Sequence, residues 1–392
     1  MILNWIELLV RWTHVVAGIA WIGSSFYFIA LDASLKGHPR LPAGVKGEAW
    51  QVHGGGFYQM QKYLVAPDFL PSELTWFKWE AYSTWIFGFA LLVLVYYLHP
   101  TLYLIDPQVM PLSASDAVVG GAASLVLGWL VYDGLCRSPI GRDVRWLACT
   151  GFLLLVAAAF AYTHVFSGRG AFIHVGALVG SIMVGNVFFV IIPNQRVVVR
   201  ELLAGREPAA WLGNQAKQRS LHNNYLTLPV VFVMISNHYA FTYSGRFAWL
   251  VLAMVFIASF LVRHWYNVHH TGAHPDWKLW PAAAVPMLAA AGLVWLGQPR
   301  ANASLAGVPF TQVQQIVQAR CQPCHAAHPN FAGIDAPPKG IMLDTEQRIL
   351  ALAPQIEQQA VVTRAMPLGN ATGITEEERQ ALAGWIAAGA KP

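Results

Sequence analysis

Apolar residues run nearly unbroken through the first three quarters of the chain, in blocks parted by short polar stretches. A helix needs roughly 20 apolar residues to cross a hydrocarbon core of about 30 Å. Eight blocks meet that length: 5–31, 79–99, 115–134, 145–166, 171–193, 225–243, 247–266 and 279–297. The pattern changes after about residue 300, where charges of both signs appear and long apolar runs end. There Phe310 to Arg320 predicts a helix. Thr375-Glu376-Glu377-Glu378 reads as a capping box, Thr375 being the N-cap and Glu378 the third helical position. It opens a last helix with Leu382, Trp385 and Ile386 on one face and Gly389 as its stop. The expected fold is all-α: an eight-helix membrane bundle over 1–299, a linker over 300–306 and a soluble helical domain over 307–392.

Composition agrees. Only 11% of the 392 residues are charged, whereas soluble chains carry about 25%. The net charge of +5 is no nucleic-acid footprint, because the basic residues follow the spans. Fifteen Lys and Arg fall in the loops after the first, third, fifth and seventh blocks, against two in the loops after the others. Positive residues favour the cytoplasmic side, so both termini are expected outside, in the periplasm of a bacterial inner membrane. The first block is too long for a signal peptide, lacks a small-residue cleavage site and is expected to stay as an anchor. Of four cysteines, Cys136 and Cys149 have no partner spacing and suggest no disulfide framework.

Cys321-Gln322-Pro323-Cys324-His325 carries the clearest chemistry. Cys-x-x-Cys-His is the attachment sequence of haem c, with two thioethers to the porphyrin and an axial His. Such a run could also be half of a zinc site, but here it occupies its own polar tail. Covalent haem attachment takes place outside the cytoplasm, which matches the side given by the basic loops.

Within the apolar blocks, His14, His99, His164, His174 and His238 all fall in the outer half of their spans. Intramembrane ionisable residues are rare and usually functional, although a single one is more often a satisfied core histidine. Five at one depth suggest a haem b, with His14 as one ligand and His164, His174 or His238 as the other. Arg11, one turn from His14 on the same face, would suit a propionate. At the cytoplasmic start of the sixth span, Gln218 to Thr227 is dense in donors and acceptors. It could hold a small, planar, polar anion: Arg219 for charge, Asn223, Asn224 and Thr227 for ring edges, His222 for proton transfer. An ordinary polar helix start is the alternative. His264, His269, His270 and His274 crowd the inner end of the seventh span, but Gly272 and Pro275 argue for a loop rather than a metal-binding helix face. His53-Gly54-Gly55-Gly56-Phe57-Tyr58 is expected to be a flexible loop, not a phosphate cradle. No nucleotide motif, nucleophile elbow or carboxylate pair is present.

The tail as a whole (helix, Cys-x-x-Cys-His, a loop with Ala365-Met366-Pro367, a terminal helix) resembles a class I cytochrome c. That resemblance implies His325 as proximal and Met366 as distal iron ligand, beside thioethers at Cys321 and Cys324. The run from Arg11 through Gly23, Gln218 to Pro229, Ile235-Ser236-Asn237-His238-Tyr239 and Arg263-His264-Trp265-Tyr266-Asn267 resemble stretches of the bacterial membrane-bound, cytochrome c-fused urate oxidases. The phrase at His14, Trp21 and Gly23 is also similar to one in haem b membrane proteins of the protoporphyrinogen oxidase kind. The urate oxidase resemblance implies oxidation of urate to 5-hydroxyisourate, with electrons passing to the haem of the tail and on to a respiratory acceptor. No catalytic residue transfers from the soluble, cofactor-free urate oxidases. Sequence leaves open the side on which urate binds. It also leaves two other function classes: a membrane cytochrome b–c carrier oxidising quinol or serving a partner enzyme, and a transporter or sensor.

Overall fold

A computed structural model describes residues 2–67, 69–297 and 308–392. The expected linker and the borders at 299 and 307 lie outside the described residues. The chain is mostly helical, and among the described residues seven helices are long and apolar enough to cross a membrane. In chain order the first part holds α1 (Ile2–Ser34), a hairpin of β1 (Val45–His53) and β2 (Gly56–Tyr63), α2 (Trp79–Leu91), and the short α3 (Pro100–Tyr103). It continues with α4 (Ala114–Arg137), α5 (Val144–Val165), α6 (Gly168–Gly185), α7 (Ile192–Leu203), α8 (Ala210–Ser236), α9 (Ala248–His269) and α10 (Leu279–Gly297).

The sixth expected span is where the reading and the structure part. Its helix, α8, begins at Ala210 rather than near Tyr225, and it ends at Ser236 rather than at Tyr243. The first half of α8 carries Gln215, Lys217, Gln218, Arg219, His222, Asn223 and Asn224, so its apolar part is short. It is not among the seven apolar helices, yet it packs against α6, α7, α9 and α1. Beyond it Asn237 leaves the helix and accepts hydrogen bonds from Tyr96 Oη at 3.0 Å and Arg169 Nε at 3.3 Å. Those bonds, rather than apolar content, fix the end of α8. Pro229 sits inside α8 and is buried, a position that removes one backbone donor.

α6 occupies the centre, with Phe172, Val175 and Val179 fully buried. α1, α4, α5 and α10 instead expose apolar side chains such as Ile19, Val126, Leu153 and Leu288, as lipid-facing helices do. In the first part of the chain two segments wind as wide π-turns: Leu92–Tyr97, which continues α2, and Asn186–Ile191, which joins α6 to α7. An inserted residue of this kind re-aims side chains and recurs at functional sites.

The hairpin corrects two expectations, a flexible loop at 53–58 and a purely α fold. Gly54 and Gly55 both take positive φ, +60° and +81°, which a two-residue turn between twisted strands requires. Val52 pairs with Phe57 and His53 with Gly56. At the base, buried Glu48 accepts hydrogen bonds from Trp50 Nε1 at 2.8 Å and Gln59 Nε2 at 2.6 Å, and His38 Nε2 lies 3.0 Å away.

The tail folds around its own core. Phe310, Val313 and Val317 of α11 (Phe310–Arg320) meet Ile349 of α13 (Glu346–Ala351), and Leu382 and Trp385 of α15 (Glu376–Ala387). α12 (Gln322–His325) and α14 (Ala353–Ile356) complete it. The capping box forms as the sequence requires: Thr375 N donates to Glu378 Oε2 at 2.9 Å and Glu378 N to Thr375 Oγ1 at 3.2 Å. Gly389, at φ +98°, ends α15, with Ala390 N donating to Trp385 O.

Candidate functional site

The polar stretch of α8 does not make one site. Successive helical residues point about 100° apart, so Asn223 and Asn224 face different neighbours. On the first face Arg219, fully buried, pairs with Asp133 of α4 at 2.7 Å and donates to Asn186 Oδ1 at 3.2 Å. Its guanidinium lies 5.0 Å from the centre of the Tyr132 ring. Asn186, at the start of the wide turn, donates to Tyr132 Oη at 3.0 Å and Asn223 Oδ1 at 2.9 Å. Asn223 donates to Met183 O, and Tyr132 Oη is 2.7 Å from His222 Nδ1. Arg219 and His222, expected to meet a ligand, are thus engaged with protein: a carboxylate for one, a phenol for the other.

On the second face, fully buried Asn224 accepts through Oδ1 from Arg263 Nε and Asn267 Nδ2 of α9, each at 2.9 Å. The Arg263 guanidinium lies 3.7 Å over the Phe26 ring of α1. Thr227 turns its hydroxyl to Asn224 O at 2.6 Å and so supports the helix rather than a ligand. Three buried polar atoms of this face have no partner: Asn224 Nδ2, Arg263 Nη2 and Asn267 Oδ1. A buried polar atom without a hydrogen bond costs about 1–3 kcal/mol, and three together form a ready set of two donors and one acceptor. Arg263 has no carboxylate partner among the described residues, while Asp133 answers both Arg219 and Arg137. The paired faces therefore carry excess positive charge. The sequence pattern alone gives Arg263, Asn267 and Asp133 no role. An intramembrane carboxylate was the available signal.

The histidines of the apolar blocks stand on separate partners. His174 is fully buried with both ring nitrogens engaged: Nδ1 donates to Gly170 O at 2.8 Å and Nε2 accepts from Tyr97 Oη at 3.1 Å. His164 is exposed and folds back on Phe160 O at 2.7 Å, and His238 and His99 are also exposed. His14 Nδ1 donates to Thr84 O at 2.9 Å, with its ring close against Gly88, where a Cβ would come within 2.7 Å of Cε1. Arg11 pairs with Glu7 at 2.5 Å, not with an inward group. No group of three or more His, Cys, Asp or Glu able to hold a metal ion occurs among the described residues. In this arrangement these side chains do not fit a bis-histidine haem. At the C-terminal end of α9, His264 Nδ1 meets Tyr225 Oη at 2.8 Å and His269 stacks on Trp265.

The tail holds a cleft of about 270 Å³ lined by Cys321, Cys324, His325 and Met366 among apolar side chains. Both cysteines are unpaired, and burial pushes the Cys321 thiol up to about 12. His325 Nδ1 donates to Ile341 O at 3.0 Å, which leaves Nε2 facing the cleft's chemistry and fixes the tautomer. Arg379, buried, donates to Met366 O at 2.9 Å and to Ala360 O, so it holds the Met366 loop. Burial lowers its guanidinium to about 10. Two thiols, a histidine with a free Nε2 and a thioether on one cleft are a donor set that fits a covalently bound haem.

A family model described as urate oxidase, N-terminal, matches residues 1–295. No curated protein and no solved structure matches the chain.

Proposed function

Since the chain belongs to the urate oxidase N-terminal family, an oxidoreductase family acting on urate, we propose that it is a membrane urate dehydrogenase whose cytochrome c-like tail takes the electrons. The observation that carries this reading is the unspent set on Asn224, Arg263 and Asn267. Urate is a planar anion edged by carbonyl acceptors and ring N–H donors. Arg263 Nη2 and Asn224 Nδ2 donate to its carbonyls, Asn267 Oδ1 accepts from a ring N–H, and the unpaired Arg263 charge balances the anion. The Tyr132–His222 pair takes up a released proton.

The urate monoanion and water give neutral 5-hydroxyisourate, one proton and two electrons, with the new C5–O bond made to the water oxygen. When bound at Cys321, Cys324, His325 and Met366, haem c supplies one-electron storage. Two successive transfers to an external one-electron carrier then complete each turnover. The eight-span topology counts α8 as the sixth crossing. The basic loops favour the hairpin end as cytoplasmic, and the tail rests against α3, in a loop without Lys or Arg. Substrate is then taken from the cytoplasm and electrons leave in the periplasm of a bacterial inner membrane.

The test is to add urate anaerobically to the detergent-solubilised protein and follow the haem c absorption. Prompt reduction is expected. A haem that quinol reduces and urate does not would replace this reading with that of an electron carrier.

A further inference from the structure

The membrane module reaches into the tail. α3, four residues long, is held in place by the start of α6: Ser167 N donates to Leu104 O at 2.8 Å and Ser167 Oγ to Tyr103 O at 2.9 Å. Its far side touches the tail three residues beyond Met366. A Cβ on Gly369 would stand 2.8 Å from the carbonyl oxygens of Leu102 and Ile105 and 3.0 Å from that of Thr101. The backbones are therefore closer than any side chain at 369 permits. Gln108 Nε2 donates to Ile374 O at 2.7 Å across the same seam. Asp106 lies within electrostatic reach of Arg379 and Arg364 of the tail. Leu102 itself lines the cleft that holds Cys321, His325 and Met366.

Behind α3 the membrane module presents a packed aromatic group. Tyr103 meets Tyr96 edge-on at 6.0 Å, and Arg169 lies 5.1 Å over the Tyr103 ring. Tyr97, next to Tyr96 in the wide turn, bonds to His174. The contact is thus backed by rigid, buried structure rather than by a loop tip.

We infer that α3 and the loop after it are a fixed docking platform for the tail, and that electrons enter the tail there, beside Leu102, instead of being collected by a tethered tail that swings. The inference rests on the proposed function for the direction of electron flow, but not for the docking. A swinging tail would need no glycine at 369 and no membrane-module residue in the cleft wall. A docked one needs both.

The test uses the full-length protein in detergent with Gly369→Asn and, separately, Gln108→Glu. Asn tolerates the φ of +54° at this position better than other side chains, so G369N adds the clash without the backbone strain. Q108E sets a carboxylate against Ile374 O on the membrane side, away from the cleft. Two readouts are taken. Amide exchange over 100–108 and 367–374 is expected to be slow in the parent and faster in both variants. Equal exchange in all three overturns the docking. Urate-driven reduction of the tail is expected to fall about tenfold in both variants, with the haem potential and Met-ligation spectrum unchanged. Faster exchange with undiminished reduction overturns the electron route and leaves a merely structural contact. A parent protein that urate does not reduce defeats the proposed function, and the exchange measurement still decides the docking.

Discussion

The two arginines of the membrane module are expected to answer substitution in opposite ways. Arg219 spends both terminal nitrogens on Asn186 and Asp133 and keeps only Nε without a partner. Arg263 gives one nitrogen to Asn224 and keeps Nη2 unspent over the Phe26 ring. Lysine keeps the charge at either position but loses the planar fork. Arg263→Lys therefore removes one charge-assisted hydrogen bond to a bound anion, about 1.5–3 kcal/mol, or roughly a ten- to 150-fold rise in KM. The contact is present in ground and transition state alike, so kcat is expected to change little. Arg219→Lys leaves KM within about twofold and shows instead as lower thermal stability, since the Asp133 pair is weakened. The assay is anaerobic haem reduction against urate concentration, with a melting curve for each variant. A folded Arg263→Lys protein with parental KM, or a large KM rise confined to Arg219→Lys, would refute the assignment of the substrate to the Asn224 face.

Asp133→Asn leaves the fully buried Arg219 without its carboxylate and is expected to cost about 3–5 kcal/mol. An unchanged unfolding transition would show the pair to be unimportant. Cys324→Ala should abolish covalent haem staining while the membrane module still elutes as a folded species; surviving stain overturns the attachment site. Met366→Ala should lower the haem potential, and an unchanged potential removes Met366 as ligand. Glu48 is held near 2 by hydrogen bonds from His38, Trp50, Gln59 and Gln61. Its folded value lies below its unfolded one, so its contribution is complete above about pH 4.5 and fades as pH falls towards 2. Amide exchange over 45–63 should accelerate in that window and be independent of it in Glu48→Gln.

What could be read from sequence followed from how local the signal is. The capping box needs only Thr375 and Glu378 three residues apart, and the apolar blocks need only composition, so both were legible. α8 was read too far towards Tyr243 because hydropathy cannot see Asn237 captured by Tyr96 and Arg169, residues about 140 and 70 positions away. The hairpin was missed because three glycines in a row suggest mobility. Its stability comes from four polar groups that gather on Glu48, two of them from the facing strand. The proposed substrate face was half legible: Asn224 was named, but its partners on α9 lie some 40 residues on, and nothing local tells residue 223 from 224 by the neighbour each will face. The span histidines show how little depth alone settles: equal depth fixes one coordinate, while helix rotation leaves His164 exposed against Phe160 O and gives both nitrogens of His174 protein partners.

The wide turns explain why chemistry concentrates at two levels. A π-turn adds one residue, so everything after it is rotated by about 100° relative to a regular helix. In α6 this happens at Asn186, which is thereby offered to Arg219, Tyr132 and Asn223 at once. The turn that continues α2 ends on Tyr96 and Tyr97, which meet Asn237 and His174. About 24 Å of α6 separates the first group from Gly170 at the second, so the level of α8 that carries both Arg219 and the Asn224 face lies a helix length from the docking platform. An enzyme that takes its reductant on one side of a membrane and delivers electrons on the other needs that separation. A carrier fed by quinol from within the bilayer does not need a buried, cationic, incompletely bonded cluster at the end far from its haem. The unspent atoms on Asn224, Arg263 and Asn267 therefore favour a polar substrate over a lipid-soluble one, independently of the family to which the chain belongs.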